Sequence, residues 1–210
     1  MDELDLFEQQ VIKSLERVED SYYKTTYHNI QTFRDAFAYR LGRINNNNFE
    51  RYGERVFCYE FYHQLRVLID EVRQDNPTFL EGTKLQAEVH KMQIIELNQK
   101  LGLNPLSGEF APDLLMHSPG NANSHPFAIE VKCEHNISGE KIFKDLEKLN
   151  EFVTRYNYQR ALFIAINVDN NLIQSRIDEL QDRINQLEGK NNIKIISKEN
   201  QQAQHHIWQL

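Results

Sequence analysis

FAIEVKCEH, residues 127–135, sets two opposite charges inside an apolar run, with only Val131 between Glu130 and Lys132. Side chains alternate along an extended strand, so Glu130 and Lys132 share one face while Ile129, Val131 and Cys133 share the other. An acid and a base side by side on a mostly apolar strand point to a working surface. The neighbouring strand lies just upstream. Pro112-Asp113 opens the run DLLMH (113–117), and the polar loop SPGNANS leads on to PFAIEVKC (126–133), with Pro119-Gly120 as the turn signal. If these strands pair, Asp113 comes beside Glu130.

Two carboxylates about 4 Å apart repel by roughly 4 kcal/mol at an effective dielectric of about 20. Lys132 offsets part of that repulsion, and a divalent cation offsets far more. Mg²⁺ suits hard oxygen ligands supplied by one or two carboxylates, with Mn²⁺ as its expected substitute. Such a cation polarises a phosphoryl oxygen and makes a bound water acidic enough to attack near neutral pH. A lysine beside it orients that water and stabilises charge on a pentavalent phosphate.

Outward from this pair, the pattern alternates between helix and strand. Upstream, Leu6, Ile12, Leu15 and Val18 suggest one amphipathic helix, and residues 28–43 a second that stops before the asparagine tract 45–48. A third, crowded with apolar and aromatic residues, runs from after Gly53 to Asp75, where Asn76-Pro77 ends it. Residues 84–90 alternate like a half-buried strand, and 92–101 suit a short helix. Downstream, Ser138 precedes a helix with Ile142, Leu146, Leu149 and Val153 on one face. ALFIAINV (161–168) reads as a central strand covered on both faces. Asp169 caps another helix running to about Glu188. IKIIS (193–197) is a strand and HHIWQL (205–210) an edge strand. The expected class is α/β. Ile173, Ile177, Leu180, Ile184 and Leu187 imitate a coiled-coil seam, but for only about two heptads, so a core helix is the expectation and dimerisation the alternative.

Composition limits the function. The 210 residues suffice for one domain, with or without a helical extension, and 40% hydrophobic with 26% charged residues is ordinary for a globular chain. The net charge of −7 argues against a broad basic nucleic-acid-binding surface, so any such site must be a local patch or be filled by metal. The first twenty residues lack the pattern of a signal peptide, and no run approaches the roughly 18 apolar residues of a membrane span. Cys58 and Cys133 are too few for a disulfide framework. A cytoplasmic location is the expectation.

Pro112-Asp113, followed after residues 114–129 by Glu130-Val131-Lys132, resembles the motif of the PD-(D/E)XK nuclease superfamily, the restriction-endonuclease-like fold. The resemblance implies a core of helix, three-strand meander, helix and strand. Segments 53–75, 84–90, 112–118, 126–133, 139–156 and 161–168 follow that order. It covers about 53–168, within a domain of 51–210 that adds a C-terminal helix and strands, and leaves 1–50 as an N-terminal helical extension. It also implies that Asp113 and Glu130 bind the metal, that the Val131 carbonyl is a further ligand, and that Lys132 is the catalytic lysine. A further acid is implied on the first core helix, where Glu60 inside VFCYEFY matches best. Glu88, on the polar face of the strand before the motif, is its rival.

Lys141, Lys144 and Lys148 form a basic stripe one turn apart, either lining a phosphate path or making a solvated helix face. Lys84 and His90 share the face of Glu88 and read as surface residues. His205 and His206 point to opposite faces of a strand and receive no role. The expectation is a divalent-metal-dependent nuclease that hydrolyses phosphodiester bonds of nucleic acid, DNA before RNA. The alternative is a catalytically silent nuclease-like module for binding or assembly. For nuclease activity, a homodimer or a partner protein is the expected source of the missing basic surface.

Overall fold

Hydrophobic spacing decides where this chain coils and where it extends. Phe7, Val11, Ser14 and Leu15 fall on one buried face of helix α1 (Glu3–Arg17), with Val18 just past its end. The expected stripe is therefore rotated: Phe7 and Val11 take the inward positions, while Leu6 and Ile12 are only half-buried. After a single turn, α2 (Asp20–Tyr23), strands β1 (Thr25–Tyr27) and β2 (Phe49–Arg51) pair antiparallel. Helix α3 (Glu54–Asp75) buries Phe57, Phe61, Leu65, Leu68 and Ile69 but leaves Val56 and Tyr59 exposed, so it is a one-sided core helix. It stops where Asn76-Pro77 was expected to stop it.

The computed structural model describes residues 2–27, 49–51, 53–87, 100, 102, 106–108, 110–119 and 124–210. The expected helix at 28–43, all of the one at 92–101 except residue 100, and the residues Glu88 and His90 lie outside them. Strands β3 (Lys84–Ala87), β4 (Leu114–His117) and β5 (Phe127–Cys133) form an antiparallel meander. Helix α4 (Gly139–Tyr156) follows, its first turn capped by Ser138 Oγ accepting from the Lys141 amide at 3.3 Å. It ends at Asn157, whose φ of 56° is the left-handed conformation that asparagine tolerates. Strand β6 (Arg160–Ile166), helix α5 (Asn170–Ile184), strand β7 (Ile193–Lys198) and edge strand β8 (His206–Gln209) complete the chain. Asp169 caps α5 as expected, accepting from the Asn171 amide at 2.6 Å.

The result is α/β, with a six-stranded sheet in the order β3-β4-β5-β6-β7-β8. The β5/β6 and β6/β7 pairs are parallel and the rest antiparallel, so the sheet is mixed. Each parallel pair needs a crossover, and α4 and α5 supply them. One sheet face, with Leu115, Ala128, Ala161 and Phe163, packs against Ile142, Leu146, Leu149 and Val153 of α4. Ile173, Ile177, Leu180 and Ile184 of α5 join the same core, so the coiled-coil-like stripe is core packing.

The opposite face, with Leu114, Phe127, Ile129, Val131, Leu162 and Ile164, packs against α1 and α3. Helix α1 thus belongs to the main core instead of hanging from it. The Phe7 ring stacks on Phe127 with centroids 4.4 Å apart. Arg160, at the start of β6, holds the outer side of α1 through Asp2, Asp5 and Glu8.

Candidate active site

The alternation read from residues 127–135 holds. Ile129, Val131 and Cys133 point into the core beneath α1 and α3, which puts Glu130 and Lys132 on the side of α4. Strand β4 pairs with β5 in the register Leu114↔Ile129, and one further step sets Asp113 opposite Glu130. Asp113 also closes the end of the ladder, its Oδ2 accepting from the Val131 amide at 2.7 Å. The two carboxyl groups face each other at the middle of β5, and Lys132 lies toward its carboxyl end, beside the parallel strand β6. Ligands characteristically bind at that end of an α/β sheet.

Two acids and a lysine that the strands alone did not reveal complete the cluster. Glu54, the first residue of α3, lies with Oε1 3.6 Å from Lys132 Nζ and with Oε2 accepting from the Cys133 amide at 3.4 Å. Asp145 of α4 faces two lysines at once, with Oδ2 3.7 Å from Lys132 Nζ and Oδ1 3.5 Å from Lys148 Nζ. Lys148 in turn stands 2.7 Å from Glu130 Oε1. Lys132 also donates to the Val131 carbonyl at 3.2 Å, taking one of its two lone pairs.

Glu60 is not brought here. It sits nearly two turns beyond Glu54 on α3, where its Oε1 accepts from Gln64 at 2.6 Å. Helix α3 does deliver an acid, but from its first residue. Glu54 was easily overlooked because an acid in the first turn of a helix is ordinary. Asp145 left a clearer signal. It lies three residues after Ile142 and four before Leu149, a charged residue in register with the apolar face of α4. Of the basic stripe, Lys148 enters the cluster, and Lys141 pairs with Glu134 at 2.6 Å. Lys84 lies at the far edge of the sheet, on β3, lining a separate groove with Arg66 and Arg73.

Burial governs the electrostatics. Glu130 is 1% exposed. Burial first, and the Asp113 charge second, push its pKa up to about 8, although Lys148 pulls it down. Asp113 is also raised, mainly by burial, against the opposing Val131 amide and the two lysines. Burial lowers the pKa of Lys132, but Asp145, Glu54, Asp113 and Glu130 together outweigh it and hold the ammonium above the ordinary lysine value. Lys132 is therefore charged at any physiological pH, a donor and electrostatic stabiliser but not a base.

Four acidic side chains, Glu54, Asp113, Glu130 and Asp145, surround the two lysines Lys132 and Lys148. Lys148 Nζ meets the buried Glu130 Oε1 at an ion-pair distance of 2.7 Å. A buried carboxyl group beside a second one, with a cation already drawn to it, suits a divalent ion. Among the described residues, no group of three or more His, Cys, Asp or Glu side chains is gathered so as to hold a metal ion. The donors that fit are Asp113, Glu130 and the Val131 carbonyl, with water completing the shell as Mg²⁺ prefers.

An open cleft of about 520 Å³ runs over this cluster, lined by Lys132, Lys141, Lys144 and Lys148 and by Glu54, Glu134 and Asp145. A smaller hollow of about 130 Å³ lies on the other side of Glu54, against Asp113. The cleft supplies a local basic strip on an acidic protein. No family model matches this chain, and no curated protein or solved structure matches it either. Among the described residues, no helix is long and apolar enough to cross a membrane.

Proposed function

We propose that this chain is a divalent-metal-dependent nuclease with a restriction-endonuclease-like core, cleaving phosphodiester bonds of nucleic acid, DNA before RNA. The observation that carries this reading is the juxtaposition of Asp113 and Glu130 across β4 and β5, with the Lys132 ammonium on the Val131 carbonyl beside them. The order α3, β3-β4-β5, α4, β6 is the order the resemblance implies. Asp113, Glu130 and the Val131 carbonyl would hold the cation. Once bound, it supplies Lewis-acid polarisation of a phosphoryl oxygen and acidifies a water.

The remaining chemistry falls to side chains. Lys132, held by Glu54 and Asp145, orients the attacking water and stabilises charge gathering on the phosphate oxygens. Because it stays protonated, it does not take the proton from that water. Glu54, more exposed than the other acids and within 3.6 Å of Lys132, is the carboxylate placed to accept it. Lys141 and Lys144 along the cleft give the phosphate backbone its path.

The test is incubation with supercoiled plasmid, linear duplex and RNA under Mg²⁺ or Mn²⁺. Cleavage that EDTA abolishes is the expected result, and no cleavage of any substrate with either metal counts against the proposal. The silent-module reading draws on one feature, the Lys148 ammonium already set against Glu130. It requires no calorimetric heat with Mg²⁺ or Mn²⁺ that Asp113→Asn removes.

A further inference from the structure

Lys148 stands in the way of the metal. It reaches up from α4 with its side chain only 18% exposed, and its Nζ lies 2.7 Å from Glu130 Oε1 and 3.5 Å from Asp145 Oδ1. A cation shared between Asp113 and Glu130 would meet that ammonium at the same buried carboxylate. We infer that Lys148 is a tethered counter-ion that occupies Glu130 in the metal-free site and must withdraw onto Asp145 when a divalent cation binds. This rests on the function proposed above and adds a metal threshold to it.

Three features of the geometry carry the inference. First, Lys148 Nζ lies 2.7 Å from the buried Glu130 Oε1, so the ammonium sits where a cation ligated by that oxygen would have to come. Second, the place to withdraw to already exists. Asp145 is one turn earlier on the same helix, and a flexible lysine stem reaches it by rotamer change alone. Third, the two lysines are not interchangeable. The ion pairs of Lys132 are to Glu54 and Asp145, whereas Lys148 is the lysine within ion-pair distance of Glu130. A unit charge at that distance repels an incoming divalent cation, so it must weaken metal binding. Lys148 also lines the cleft with Lys141 and Lys144, where a phosphate backbone would lie.

Mn²⁺ binding to the full chain, followed by electron paramagnetic resonance at one fixed pH for all variants, reads the effect of the lysine. Lys148→Met is expected to bind Mn²⁺ at least about tenfold more tightly than wild type. Lys148→Gln, which keeps a donor for the buried carboxylate if the methionine variant fails to fold, is expected to do the same. Lys148→Arg retains the charge and should stay close to wild type. Asp145→Asn should weaken binding in wild type but lose most of that effect in the Lys148→Met background.

Equal or weaker binding by both neutral variants overturns the inference, as does an Asp145→Asn effect that survives undiminished without Lys148. The nuclease proposal fails separately, through a wild-type protein whose Mn²⁺ signal does not saturate or is untouched by Asp113→Asn.

Discussion

Glu130 and Lys132 differ by two positions and a few ångströms, yet burial treats them in opposite ways. The carboxyl is pushed up to about 8 by burial and by Asp113, while surrounding acids hold the ammonium charged. This has a consequence for stability. The folded, metal-free chain binds more protons than the unfolded chain between the ordinary glutamate value of 4.5 and about 8. Stability from this residue is thus fully present below 4.5 and is lost as pH rises through 8. Denaturant titrations across that window should show the decline, and Glu130→Gln should flatten it. Adding Mg²⁺ should restore stability at the alkaline end, because a cation that needs the ionised carboxylate binds the folded state. At the same scale, Lys132→Ala should leave the fold intact and slow DNA cleavage by about a hundred- to a thousandfold, the usual loss of one preorganised donor. Cleavage rates measured beside circular dichroism separate the two effects.

Strands were the most legible elements, because the period of two survives any change in how a strand packs. FAIEVKC and DLLMH announced both their pairing and their faces, and the register Leu114↔Ile129 delivered Asp113 to Glu130. Helices were legible in position but less so in rotation. In α1 the stripe of Leu6 and Ile12 gave way to Phe7 and Val11, since large side chains on adjacent positions compete for the same face. The same uncertainty of rotation misplaced the acid of α3, from Glu54 to Glu60. Asp145 was legible as a charge in register with the apolar face of α4, but the inward reach of Lys148 depends on where α4 sits over the sheet, which no local pattern encodes. Helix α1 looked like an extension because its partners, Phe127 and Arg160, are more than a hundred residues away along the chain. Phe7→Ala should therefore cost about 3–5 kcal/mol of global stability, as a core aromatic does. Chemical denaturation checks this, and a loss below about 1 kcal/mol would mark α1 as peripheral.

For the molecule as a whole, the net charge of −7 and the basic cleft pull in opposite directions. Long-range repulsion should make DNA binding weak, while the lysines of the cleft make it local and salt-sensitive. Lys141→Ala with Lys144→Ala should raise KM much more than it lowers kcat and should flatten the salt dependence, as steady-state rates at several ionic strengths would show. All of this depends on one carboxylate. Asp113→Asn keeps an oxygen to accept from the Val131 amide while removing the charge, so the fold should survive and the cation should not be held. The most direct measurement is the rate of duplex DNA cleavage in Mg²⁺ by wild type and by Asp113→Asn, each verified as folded. The expected result is hydrolysis by the wild type and a loss of at least about a hundredfold in the variant. Equal rates would contradict the assignment of Asp113 and Glu130 as the metal-holding pair.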